Sequence, residues 1–186
     1  MDAGVYAINS ARFFVDGTVV DCTKAELTEA YPSIDSYAKA TLTLALPGNE
    51  GKTVPAVIEA AISAPWPWFS MPSAKVVGTK ATLIVKNFLI PGVYHSITVV
   101  DTHGKVLRSE RHYAAGQSTY QFQLEAFAKA VTEFAPGMGG LVPTSYGGVD
   151  PIGTMKGIDA IYRRAGWAIR QSDTEGMESM RVKTDQ

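Results

Sequence analysis

Between about Thr18 and Tyr113 the chain is a succession of short strand-like runs punctuated by turn residues, and this stretch limits the folds open to it. Tyr37 to Leu46 alternates cleanly, Leu42, Leu44 and Leu46 opposing Thr41, Thr43 and Ala45, as a half-buried strand should. Pro47-Gly48-Asn49-Glu50-Gly51 is turn chemistry, and Thr53 to Ala64 reads as the returning strand. Lys75 to Thr79, Ala81 to Lys86, His95 to Asp101 and Lys105 to His112 continue the pattern. Asp101-Thr102-His103-Gly104 joins the last two as a hairpin. Parallel strands need long crossovers, so short turns between successive runs point to antiparallel pairing.

Helical patterns flank this block. Val5 to Phe14 is a short amphipathic helix. Val5, Ile8 and Ala11 or Arg12 fall on one side; Asp2, Tyr6, Asn9 and Phe13 fall on another, at helical spacing. Asp16-Gly17 ends it. Ser118-Thr119-Tyr120-Gln121 has the form of a capping box, followed by an apolar stripe of Leu124, Phe127, Val131 and Phe134. After a glycine-rich loop from Gly137 to Gly148, Asp150 and Pro151 open a further helix. Ile152, Met155, Ile158, Tyr162 and Ala165 form its expected buried side, and Gly166 its stop. Strands grouped together with helices at the ends predict an α+β fold: one open, mostly antiparallel sheet with helices on one face. One domain is expected over residues 1–171, with a polar, frayed tail at 172–186. The other sheet face then calls for a cover, and an oligomer contact through Thr41–Leu46 and Ile97–Val100 would supply it.

Composition removes several functions. With 186 residues and 46% apolar content, the chain can bury a core. A formal net charge of −1 gives no basic field, so nucleic acid is a poor partner. Cys22 is the single cysteine, which excludes an internal disulfide and a cysteine-rich zinc site. No apolar run reaches the ~20 residues that span a bilayer, and no signal peptide opens the chain, so a cytoplasmic location is expected. The chain enters a helical pattern almost at Met1, as a fragment would.

Motifs for common chemistries are missing. Gly137-Met138-Gly139-Gly140 does not complete a dinucleotide fingerprint, and no Walker A loop or G-x-S-x-G elbow occurs. His95, His103 and His112 match no zinc spacing and read as surface or structural residues; no metal site is expected. Trp66 and Trp68 flank Pro67, and this aromatic stretch either lines a sugar site or fills a core edge or interface. Asp2 and Tyr6, four apart at a helix start, share a face. A phenol beside a charged group can serve as a general acid/base if a nearby cation lowers its pKa from ~10.

Three segments give that pair meaning. Asp2-Ala3-Gly4-Val5-Tyr6, with Asn9 and Arg12-Phe13 after it, resembles the D-x-G-x-(H/Y) segment of the Gfo/Idh/MocA oxidoreductases. Tyr120 to Val131 is similar to that family's YxxQLEAFAxAV helix, and Met155 to Gly166 to its closing M-x-x-IDAIYRxAG helix. Together they cover nearly the whole chain, in order. The resemblance implies the C-terminal α+β domain of an enzyme that moves hydride between NAD or NADP and a sugar, cyclitol or vicinal diol. It implies Tyr6 and Asp2 as catalytic residues and Asn9 as a substrate-binding residue. Tyrosine at position 6 resembles the dihydrodiol, xylose and glucose–fructose branches, which favour NADP. The family's nucleotide-binding half, with its glycine fingerprint and its lysine beside the tyrosine, has no counterpart here. The rival expectations are a catalytically inactive sugar-binding or oligomerisation domain, and a lectin-like module built on Trp66 and Trp68.

Overall fold

The structure, a computed structural model, describes residues 2–32, 34–48, 51–62, 71–113, 118–133 and 151–169, save the side chains of Asp2, Ala130 and Glu133. Its elements run α1 (Asp2–Val15), β1 (Thr18–Tyr31), β2 (Ile34–Ala45), β3 (Thr53–Ala61), β4 (Ser73–Val77), β5 (Ala81–Lys86), β6 (His95–Asp101), β7 (Val106–His112), α2 (Thr119–Glu133) and α3 (Pro151–Arg164). All strand pairings are antiparallel, and the fold class is α+β as the strand grouping predicts.

The single expected sheet is instead two ladders, β1-β2-β3 and β4-β5-β6-β7. The chain passes from one to the other between Ala61 and Ser73. That span contains Pro65 and Pro67, and each proline removes a ladder donor. Residues 63–70, with Trp66 and Trp68, lie outside the described residues, as do the glycine-rich loop and the tail at 172–186.

The alternation in β2 decides where the core sits. Ala38, Ala40, Leu42 and Leu44 are buried, while Thr41 and Thr43 face the other way. Leu42 and Leu44 meet Ile8 of α1, Ile158 and Ile161 of α3, Cys22 of β1 and Ile58 of β3 in one cluster. Helices α1 and α3 therefore cover one face of the first sheet. This corrects the expectation that the apolar residues of 41–46 lie on an outer face: Leu42 and Leu44 point at the helices, and the opposite face carries Lys39, Thr41, Thr43, Pro55, Val57 and Glu59. Pro55 lies in β3, an edge strand, where the missing N–H is tolerated.

Helix α3 is rotated from its expected orientation. Its buried residues are Gly153, Thr154, Gly157, Ile158 and Ile161, whereas Ile152 and Met155 are exposed. The cause is close approach: a Cβ on Gly157 would stand 3.0 Å from Cγ2 of Ile8. Small residues, not the largest apolar ones, make the seam with α1. In α2, Ser118 Oγ caps the helix by accepting from the Gln121 amide at 3.2 Å. The reciprocal half of the box is absent, because Gln121 Nε2 donates forward to Glu125 Oε1 at 3.0 Å. Leu124, Phe127 and Val131 of its stripe are exposed, and Phe134 lies outside the described residues.

Candidate functional site

Helix α1 carries the three expected site residues, so what holds α1 holds them. It begins at Asp2 and ends in a backbone lock, Gly17 N donating to Arg12 O at 2.9 Å with Asp16 at φ 49°. This is a glycine-type helix stop with aspartate in the left-handed position, which Asp tolerates better than most side chains. Ile8 is fully buried against α3. One turn on, Arg12 is only 5% exposed. Its Nη1 donates to Thr154 Oγ1 at 2.7 Å and its Nε to Gly17 O at 3.3 Å. A buried guanidinium bonded on two sides fixes the rotation of α1 about its axis. That rotation turns Tyr6 and Phe13 to the surface, Tyr6 being 53% exposed.

Asn9 lies one turn from Tyr6 on the same face and is half-buried. Its Oδ1 is buried and has no hydrogen-bond partner among the described residues. A buried acceptor left so costs on the order of 1–3 kcal/mol. Ser10 Oγ donates to the Tyr6 carbonyl at 2.7 Å, a bond internal to the helix. The helix thus brings Tyr6 and Asn9 together at one-turn spacing with Asp2 one turn before Tyr6; the Asp2 side chain lies outside the described residues.

A second polar link joins α3 to the first sheet. Tyr162 donates from its hydroxyl to Asp35 Oδ1 at 2.6 Å, and Asp35 is only 4% exposed. Burial pushes the Asp35 carboxyl up, but a neighbouring positive charge and hydrogen bonds, that from Tyr162 among them, outweigh it, and the net direction is down from the usual carboxylate value. Tyr162 also stacks on Trp167 at 6.0 Å. The helix stops there, with Gly166 at φ 76° and Trp167 N donating to Tyr162 O at 2.9 Å. Cys22 is buried, its thiol pushed up by burial, which makes it a packing residue and not a nucleophile.

The histidines fall into two settings. His103 sits in the β6–β7 turn, where Asp101 Oδ1 accepts from the amides of His103 and Lys105 at 2.8 and 2.9 Å. His95 and His112 stack across β6 and β7 with centroids 5.1 Å apart, and His112 Nε2 lies 3.2 Å from Glu110 Oε2. Among the described residues no group of three or more His, Cys, Asp or Glu is arranged to hold a metal ion, and no helix is long and apolar enough to cross a membrane.

Sequence reading did not pick out a groove of about 350 Å³ on the second sheet, lined by Lys86, Tyr94, Ser96, Thr98, Ser109, Arg111 and Tyr113. The signal was present as alternate polar residues in β6 and β7, but only the strand register puts them in one place. No model of a known protein family matches the chain, and no curated protein matches it.

Proposed function

We propose that these residues form the substrate-side domain of an oxidoreductase that transfers hydride between NADP, or NAD, and a sugar or vicinal diol. The observation that carries this reading is the exposed phenol of Tyr6 on a helix held by the buried Arg12, one turn from the half-buried Asn9. The resemblance of Asp2 to Tyr6, Tyr120 to Val131 and Met155 to Gly166 to Gfo/Idh/MocA segments supports it.

In this reading Tyr6 exchanges a proton with the reacting hydroxyl, since a proton must leave that oxygen as the carbonyl forms. Asn9, half-buried on the same face, lies beside the substrate one turn from Tyr6. Asp2, one turn before Tyr6, orients substrate or phenol. The residues described here do not fit the nucleotide itself. The chain has no glycine fingerprint. In this reading the nucleotide is held by a separate nucleotide-binding domain. We further propose a cytoplasmic enzyme that self-associates through its open sheet.

The test joins this chain to such a domain and measures NADP reduction over a panel of aldoses and vicinal diols. Turnover of at least one class is expected. If no sugar or diol is oxidised while the joined protein binds NADP, the reading is wrong. One observation favours an assembly domain without chemistry: Tyr120, Leu124, Phe127 and Val131 of α2 are exposed, Tyr120 at 80%. In that case the joined protein would oligomerise and bind nucleotide without turnover.

A further inference from the structure

The two faces of the β4–β7 sheet treat their charges differently. Residues directly opposite in register share a face. On one face Glu110 Oε1 lies 2.6 Å from Arg108 Nη2 and Oε2 lies 3.2 Å from His112 Nε2, so the charges are matched within the face. On the other face, register sets Lys86, Ser96 and Arg111 in one row, and Ile84, Thr98 and Ser109 in the next. Neither Lys86 nor Arg111 has an ion-pair or hydrogen-bond partner among the described residues, and the rows of this face contain no carboxylate.

Strands stand about 4.8 Å apart, so the Cα atoms of Lys86 and Arg111 are separated by ~10 Å, with Ser96 midway. Both side chains line the groove with Ser96 between them in register, and each is long enough to span half that separation. Two like charges aimed at one point repel, and a dianion between them turns that repulsion into attraction. The guanidinium fork matches two oxygens of a phosphate, and lysine adds a point charge. Beyond the cations the groove offers the hydroxyls of Thr98 and Ser109 and the rings of Tyr94 and Tyr113, whose centroids lie 6.3 Å apart. Tyr94 is held in place: Asn87, 3% exposed and at φ 57°, donates from Nδ2 to the carbonyls of Ile90 and Tyr94 at 2.9 and 2.6 Å. A volume of about 350 Å³ suits one small molecule.

We infer that this groove binds a phosphate monoester of a small polyhydroxylated molecule. The phosphate sits between Lys86 and Arg111. The polyol part hydrogen-bonds Thr98 and Ser109 and packs on the two phenol rings. This site involves none of the α1 residues and does not rest on the oxidoreductase reading.

The test is calorimetric titration of the full chain at fixed ionic strength with inorganic phosphate, glucose 6-phosphate, glucose and, as a control, chloride. Saturable binding of both phosphates is expected, glucose 6-phosphate being the tighter and glucose the weakest. Arg111→Gln should weaken glucose 6-phosphate about tenfold, the scale of a lost hydrogen bond to a charged group. Lys86→Gln should weaken it several-fold. Arg111→Lys should fall between Arg111→Gln and the unaltered chain, and Arg108→Gln, on the opposite face, should change it less than twofold. Arg111 is exposed, and far-UV circular dichroism verifies that each variant folds. Phosphate binding no stronger than chloride overturns the inference, and so does equal weakening by Arg111→Gln and Arg108→Gln. Equal affinity for inorganic phosphate and glucose 6-phosphate overturns the polyol part of the site.

Discussion

Adding one methyl group at Gly153 should destabilise this chain, and removing Arg12 first should reverse the sign. An ideal Cβ at Gly153 would lie 2.6 Å from Cζ and 2.9 Å from Nη1 of Arg12, closer than real Cβ contacts. Alanine in a helix is worth at most about 1 kcal/mol over glycine. Against that, the guanidinium must leave a site where it donates to Thr154 Oγ1 at 2.7 Å and Gly17 O at 3.3 Å. A hydrogen bond involving a charged group contributes about 1.5–3 kcal/mol. Displacing one or both bonds therefore outweighs the helix gain, and Gly153→Ala should cost roughly 2 kcal/mol. For a chain of this size that lowers Tm by roughly 4–8 °C. In an Arg12→Ala background the obstruction is gone, and Gly153→Ala should stabilise by up to about 1 kcal/mol. Urea unfolding of the four proteins, followed by circular dichroism, closes the cycle. If Gly153→Ala has the same effect in both backgrounds, Arg12 does not fill that space, and the account of how α1 is oriented fails.

Three further outcomes follow from the same contacts. Tyr162→Phe removes the donor to Asp35 and should cost about 1.5–3 kcal/mol near neutrality. Because the Asp35 pKa is lowered, that stability exists above the ordinary carboxylate pKa of ~3.9 and is lost as pH falls through the lower folded value. The variant's deficit should therefore shrink below about pH 4 in pH-dependent urea melts, and a deficit constant with pH would contradict the assignment. The chain alone should not bind NADP, since its sequence holds no glycine fingerprint; a dissociation constant in the low micromolar range by calorimetry would refute this. Self-association should appear in light scattering at tens of micromolar, because Leu83, Val85, Ile97 and Val99 share a half-buried sheet face. A strict monomer under those conditions would count against the interface.

The alternation of 37–46 already placed Leu42 and Leu44 opposite Thr41 and Thr43. Period-2 patterning carries that information directly. It does not say which side the helices take, and the two leucines turned inward to α1 and α3. In α3 the pattern misled because burial there depends on how near α1 comes. Gly153 and Gly157 are buried by contact with Arg12 and Ile8, while the larger Ile152 and Met155 stay exposed. A scale that ranks side chains by apolar size finds Ile158 and Tyr162 but overlooks the glycines in such a seam. The hairpin at Asp101–Gly104 was readable because its chemistry is local: one carboxylate accepting two nearby amides and glycine at φ 85°. The polar groove was not, because Lys86, Ser96 and Arg111 meet only through cross-strand register. Asp2, Tyr6 and Asn9 share a face by helical spacing, which the sequence alone already supplies.

The most direct test of the proposed chemistry is kcat of the Tyr6→Phe variant, measured across pH in this chain joined to a nucleotide-binding domain. Tyr6 is exposed on α1 and outside the buried cluster, so removing its hydroxyl leaves the packing of Ile8 and Arg12 untouched. A general acid/base contributes about 10²–10⁴-fold. We expect kcat to fall by that order, with unfolding midpoint and NADP affinity nearly unchanged. Retention of more than half of the unaltered kcat at every pH would make Tyr6 a surface residue and remove α1 from the chemistry.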